Sequence, residues 1–449
     1  MPLPAPRPRL FSLAWPLFIE LLLGIAVGMV GTLLAARISD SAGAAFALAN
    51  QVSATLFILF RIIGAGVSVV VTQSLGAGRP EQARALARAA LGASSWLGGL
   101  TAGAALAGAG PLLRLLEAPP EVLPLARPFL MALAPAMLLD AWNASMASVM
   151  RAHLRTRDTL AVLVAMQLAQ LALAVPLMRV LGLPGFALAL LGSRGLALAL
   201  HLWLWRSRLA IRPQWADWWR LRRHELAAVL HIGLPGAAEN IAYRLAYMVS
   251  LGVAGSLGAA ALATHSYASQ LMYFVLLSGL ATGFAAEIVV GHLIGAGRLH
   301  EAHRLVRRAL ARGLLVSVTV AGLAALAAPW LLRLFTQDAA IIAAGGTLMW
   351  LTVILEPGRT FNLVVINALR AAGDARYPVA AGAVSMLLVL AGGSWLLGKV
   401  LGLGLAGIWI AYAADEWIRG LLMWRRWARQ GWVPHARGVH RRLRRQARA

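Results

Sequence analysis

Apolar residues run along this chain in long blocks separated by short polar stretches. Twelve blocks reach about 20 residues or more, the length a helix needs to cross a hydrocarbon core of about 30 Å. They lie at about 11–35, 45–73, 84–110, 122–150, 158–181, 183–205, 226–255, 264–295, 304–335, 341–370, 376–400 and 403–425. The pattern predicts an all-α integral membrane protein with twelve transmembrane helices. Several blocks exceed the minimum, so tilt or extension beyond the bilayer is expected. Pro16 and Pro235 fall inside their blocks, where a missing N–H and a ring clash bend or break a helix.

The polar landmarks recur at a constant offset of 219 residues. Trp15-Pro16 with Glu20 returns as Leu234-Pro235 with Glu239, and Gly76-Ala77-Gly78-Arg79 as Gly295-Ala296-Gly297-Arg298. Gln51 returns as Gln270, Asn143 as Asn362, and Met150-Arg151-Ala152 as Leu369-Arg370-Ala371. The chain is thus read as an N-lobe over 1–205, a linker over 206–225, a C-lobe over 226–425 and a basic tail over 426–449. Each lobe has an even number of spans, so both enter the membrane from the same side. The pseudo-symmetry axis then runs along the membrane normal.

Composition closes off the soluble classes. Residues are 60% hydrophobic and only 13% charged, too few charges to cover a soluble surface of this size. The net charge of +24 falls in alternate connections. Arginines crowd the start (Arg7, Arg9), the stretches after spans 2, 4, 6, 8 and 10, and the tail. That asymmetry predicts an inner-membrane protein with both termini and the linker in the cytoplasm. The basic tail reads as a solvated arm near anionic headgroups, with membrane lipids and not nucleic acid as its partner. Trp215, Trp218 and Trp219 in the linker suit headgroup depth. With no cysteine, disulfides and thiol chemistry are excluded.

Four further stretches carry a resemblance to a known family. These are Val71-Thr72-Gln73-Ser74-Leu75-Gly76-Ala77-Gly78, Val290-Gly291-His292-Leu293-Ile294-Gly295-Ala296-Gly297, Ala368-Leu369-Arg370-Ala371-Ala372-Gly373-Asp374 and Gly404-Leu405-Ala406-Gly407-Ile408-Trp409. In order and in register, they make the chain similar to the MATE (multidrug and toxic compound extrusion) family of the MOP superfamily over all twelve spans. The resemblance implies a V-shaped pair of six-helix lobes exporting amphiphilic, often cationic compounds in exchange for protons or sodium ions. Two positions depart from the family pattern. Where many relatives carry Val-Asp-Thr in span 1, this chain has Val30-Gly31-Thr32, and glycine cannot titrate. Where some sodium-coupled relatives carry an aspartate in span 10, it has Arg359, whose repeat partner is Asp140.

Charges inside a bilayer cost about 2.5 kcal/mol upward each and call for a function or a partner. Glu239, Glu287 and Glu356 are the first candidates for a cation or proton site, since hard cations prefer oxygen ligands. Glu20, the repeat partner of Glu239, and Asp140 are the N-lobe candidates. Glu356 and Arg359, three apart on one helix, are also able to neutralise each other. Asp415, Glu416 and Arg419 read as a structural ion pair. Gln51, Gln270, Asn143, Asn362, Tyr243, Tyr273 and Arg359 are candidates to line a substrate cavity. The two amide pairs suit interhelical hydrogen bonds equally well.

Neither a GxxxxGK[ST] loop nor a nucleophile–base or metal-ligand constellation is found, so no cofactor and no enzymatic activity are expected. The energy source is then an ion gradient. The leading reading is a monomeric antiporter for amphiphilic small molecules coupled to H⁺ or Na⁺. The alternative is a lipid-linked oligosaccharide flippase of the same superfamily, which needs arginines for pyrophosphate.

Overall fold

The computed structural model describes residues 10–115 and 119–445. Arg7 and Arg9, the expected basic start, lie outside the described residues, as does the tail beyond 445. Twelve long helical segments follow one another: α1 (Leu10–Ala36), α2 (Asp40–Gly76), α3 (Pro80–Leu115), α4 (Leu123–Ala152), α5 (Thr156–Leu181), α6 (Leu183–Arg208), α7 (Arg223–Ser256), α8 (Ala259–Gly295), α9 (Leu299–Leu332), α10 (Ala339–Ala371), α11 (Arg376–Val400) and α12 (Gly404–Ala428). A shorter α13 (Val433–Arg445) follows, and no strand occurs among the described residues. Ten of the twelve are by themselves long and apolar enough to cross a membrane. The other two are α7, which carries Glu239 and Arg244, and α12, which carries Asp415, Glu416 and Arg419.

The connections show why the repeat motifs have their form. At the end of α2 the Arg79 amide reaches back to the Ser74 carbonyl at 2.9 Å, and at the end of α8 the Arg298 amide reaches Leu293 at 2.8 Å. This six-to-one closure needs a residue in the left-handed region, and Gly78 and Gly297 both sit at φ 73°. The same closure ends α4 (Arg155 to Met150, 3.0 Å) and α10 (Asp374 to Leu369, 2.9 Å). There the left-handed residues are Leu154 (φ 63°) and Gly373 (φ 88°).

The chain forms two compact units, cut at several points. One comprises the chain up to Phe18, Gly76–Gly78 and Ala238–Ala449. The other comprises Ile19–Leu75 and Arg79–Ala237. Both cuts within α1 and α7 fall just after Pro16 and Pro235. The two helices thus change unit at equivalent places, immediately before Glu20 and Glu239. Within the second unit, α3 and α4 pack through small residues; a Cβ on Gly98 would press against Leu138 and Ala141. Within the first, α10 is the centre: α8, α9 and α12 all pack on it, around Val364, Val365, Ile366 and Leu369.

α11 is wound partly as a π-helix, over Met386–Ala391 and Leu396–Val400. Extra residues per turn widen the helix and interrupt its regular hydrogen bonds, which is why such turns mark functional places.

The expected solvated arm is corrected over Val433–Arg445. Trp432 stacks on Trp427 at 4.2 Å, Ala436 is fully buried, and the His440 ring bonds to the Gly295 carbonyl at 3.0 Å. Asp374, in the α10–α11 turn, binds Arg426 at 2.9 Å and lies 3.8 Å from His435. An apolar stripe at helical spacing buries one face of α13, while Arg437 and Arg441 stay exposed.

Candidate functional site

Helix α10 places Glu356, Arg359 and Asn362 three residues apart, on one face. Helix α12 presents Asp415, Glu416 and Arg419 to it. Arg359 donates to Glu356 at 2.6 Å and to Glu416 at 3.0 Å. Asn362 donates to the other oxygen of Glu416 at 2.9 Å. Arg419 holds Asp415 at 2.7 Å and Glu416 at 3.0 Å, and Ser385 of α11 donates to Asp415 at 2.6 Å. All five charged side chains are at most 5% exposed. Ser385 is the last residue before the π-wound stretch of α11.

Three carboxylates face two guanidiniums, so with every group ionised the cluster carries one negative charge in excess in a buried place. At so little exposure the solvent screens these charges weakly, so a proton or a small cation is attracted strongly. The network adjoins Glu239. Gly382 of α11 stands beside the stems of both Arg419 and Glu239; a Cβ there would be 3.9 Å from each. Glu239 itself is bound by Arg370 of α10. That pair adds one charge of each sign and leaves the excess unchanged. Glu287 is buried on α8.

The Glu239–Arg370 pair has an exact repeat counterpart. Glu20 of α1 is bound by Arg151 of α4 at 2.9 Å and also by the Thr159 hydroxyl. Both pairs tie a helix to its unit just past its proline. Elsewhere the repeat keeps the position and inverts the sign. Asp140 of α4 takes Arg194 of α6 at 3.1 Å, and Gln170 of α5 takes the same guanidinium. Arg359, at the equivalent place, collects carboxylates instead. In the second unit, both described embedded carboxylates, Glu20 and Asp140, thus face one arginine each.

The Gly31 departure has a physical setting. Gly31 is buried under Phe46 and Phe186; a Cβ would stand 2.8 Å from the first ring and 3.1 Å from the second. Phe46, Phe186 and Phe129 pack against one another. The equivalent place in the other unit is polar: Ser250 donates to Ser394 at 2.8 Å, and His265 bonds to the Tyr412 hydroxyl at 3.2 Å.

The cavity candidates divide. Asn143 is buried between Arg194 and His201, and Asn362 is buried on Glu416, so both make interhelical hydrogen bonds. Gln51, Gln270 and Tyr273 are exposed, while Tyr243 is half-buried and stacks on Tyr247 at 6.3 Å. Arg359 lies inside the charge network. Sequence reasoning set Asp415, Glu416 and Arg419 apart as a self-contained pair. Their spacing marked a charged stripe on α12, matching the stripe on α10, but nothing in the spacing says that the two stripes meet.

Long apolar helices in two repeated units, with charges paired inside them, form the architecture of a polytopic membrane transporter. The family model MatE matches residues 16–175 and again 235–395, the second match beginning 219 residues after the first. The chain belongs to the MatE family. An uncharacterised transporter of Bacillus subtilis, YisQ, is 32% identical over 94% of both chains. A probable multidrug resistance protein NorM of Chromobacterium violaceum is 25% identical over 92% of each. The solved MATE transporter VcmN of Vibrio cholerae, at 21% identity, shares the fold with a TM-score of 0.85, over 94% of this chain and 96% of that one.

Proposed function

We propose that this transporter is a secondary antiporter exporting amphiphilic cationic compounds in exchange for H⁺ or Na⁺, with its coupling charge in the Glu356–Arg359–Asp415–Glu416–Arg419 network. The observation that carries this reading is the charge count. Three buried carboxylates share two arginines there, whereas Glu20 and Asp140 are balanced one to one. A proton on one carboxylate, or a sodium ion among their oxygens, neutralises the excess. A cationic substrate competes for the same negative charge, because two cations in a low-dielectric place repel each other strongly. Such competition couples the two flows under alternating access. The exposed Tyr273 and half-buried Tyr243 offer aromatic faces to a cation.

The multidrug description of NorM supports the substrate class. Arg151, Arg194, Arg359, Arg370 and Arg419 each hold a carboxylate and are not free to recognise pyrophosphate, which weighs against the flippase reading, while Arg244 of α7 is exposed. The arginine asymmetry supports an inner-membrane location with cytoplasmic termini and linker.

The test is efflux of a lipophilic cationic dye from inverted vesicles, with a pH or a sodium gradient imposed alone. Wild type should respond to one gradient, and Glu356→Gln to neither. Dye accumulation equal with and without the protein, across a broad cation panel, would sink the drug-export reading.

A further inference from the structure

After α6 the chain turns on a left-handed residue, Ala210 (φ 54°), and the following segment lies on α3. Several contacts hold it there. The Trp96 indole donates to the Trp219 carbonyl at 2.8 Å, and the Trp142 ring meets Trp218 edge-on at 4.8 Å. Buried Asp217 accepts from the Gln214 amide at 3.0 Å and from Arg222 at 2.8 Å. Gly92 of α3 makes room for the approach: a Cβ there would run into the Arg220 carbonyl. The backbone is therefore fixed, and its outward side chains stand on a rigid base.

Those side chains are basic and aromatic. Arg208, Arg212, Arg220 and Arg223 are exposed, and Trp215 is 79% exposed. The acid between them, Asp217, is used up inside the fold, and the next, Glu225, is half-buried two residues beyond Arg223. One turn before Gly92, on the same face of α3, Arg88 buries its Nε with no hydrogen-bond partner among the described residues. A buried guanidinium N–H without an acceptor is unfavourable, and an anion relieves it.

We propose that this linker face binds the anionic phosphodiester headgroup of a membrane lipid, with the arginines on the phosphate and Trp215 at headgroup depth. An acidic protein or a nucleic acid would satisfy the charges alone. The lipid also accounts for the exposed Trp203 and Leu221 beside them, which want apolar company. Each arginine near an anionic leaflet contributes about fivefold in affinity, so removal of three weakens binding by roughly a hundredfold.

The full chain in nanodiscs tests this. Brominated acyl chains are placed on phosphatidylglycerol or on phosphatidylcholine at the same mole fraction. The Trp215 signal is read as the difference between the protein and its Trp215→Phe variant. Brominated phosphatidylglycerol should quench that signal more strongly. The preference should vanish in the Arg208→Gln/Arg212→Gln/Arg220→Gln variant and persist in Arg425→Gln/Arg429→Gln, which alters exposed arginines at the end of α12. The triple variant should melt like wild type in plain phosphatidylcholine, which separates lost binding from lost folding. Equal quenching by both lipids, or an unchanged preference in the triple variant, overturns the proposal. So does a rise in melting temperature with inorganic phosphate in detergent that matches the rise with phosphatidylglycerol, because the site then takes a soluble anion.

Discussion

Glu356 meets Arg359 at 2.6 Å, and the same guanidinium also holds Glu416. The consequences of substitution follow from the charge each leaves behind. Glu356→Gln removes the excess charge and keeps Arg359 on Glu416, so the melting free energy should change by no more than about 1 kcal/mol. Gradient-driven efflux, in contrast, should be abolished. Arg419→Met leaves three buried carboxylates around one arginine. Breaking such a pair from one side costs about 3–5 kcal/mol, so this variant should unfold at markedly lower temperature in a detergent melt. A melt of Arg419→Met coincident with wild type would mean that the network is hydrated and not an interior charge cluster. Gly31→Asp should not restore an N-lobe coupling site. Phe46 and Phe186 crowd the position, and an acid buried there without a partner costs about 2 kcal/mol or more. The expected outcome is lower thermal stability with no new proton coupling.

At the scale of elements, α13 is held by a few specific contacts. Gly297 sits at φ 73°, and a Cβ there would stand 3.1 Å from the His440 ring. Gly297→Val forces a β-branched residue into the left-handed region, at a cost of about 1–2 kcal/mol, and presses on that ring. The expected outcome is release of α13, seen as faster tryptic cleavage after Arg437 and Arg441. Unchanged protection would place the hold on α13 in Trp432 and Ala436 alone. The α4–α5 turn gives a pH dependence. His153 bonds through Nδ1 to the Val149 carbonyl at 2.8 Å, and burial followed by Arg155 and Arg84 lowers its pKa below the ordinary 6.5. The unfolded chain therefore binds the extra proton first. Stability present above that pH should fall as pH drops through the ordinary histidine range, and His153→Gln should flatten the slope in that window.

Across the whole molecule, the repeat preserves architecture while the chemistry diverges. Glu20–Arg151 and Glu239–Arg370 are equivalent pairs in equivalent places. Glu20→Gln and Glu239→Gln should accordingly lower the melting temperature by similar amounts. Their transport effects should differ, because only Glu239 adjoins the charge excess. Loss of efflux in Glu20→Gln, with Glu239→Gln still active, would move the coupling site to the other unit. Sidedness is open to direct test, since the chain has no cysteine of its own. A Trp215→Cys variant should react with an impermeant thiol reagent only when that reagent reaches the cytoplasmic face.

Length, period and composition determined a great deal about this protein without its structure. Twelve apolar blocks gave twelve helices, because a bilayer leaves the backbone few other ways to satisfy its hydrogen bonds. The 219-residue offset announced an internal repeat, and the family model matches twice at that same offset, although the compact units divide inside α1 and α7 and not at the linker. Gly-Ala-Gly recurred as a landmark, and the structure shows its role: Gly78 and Gly297 take the left-handed conformation that closes the ends of α2 and α8. The candidate site was legible only as separate stripes. Glu356 and Arg359 share a helix face by spacing alone, and so do Asp415, Glu416 and Arg419. That the stripes meet at Glu416, and so share an uncancelled charge, depends on how α10 packs on α12, which no local spacing encodes. Packing also decided the fate of the tail. Its arginines suggest a solvated arm, yet the spacing of Trp432, Ala436 and Val439 gives α13 an apolar face, and the ends of α8 and α10 supply the surface that covers it.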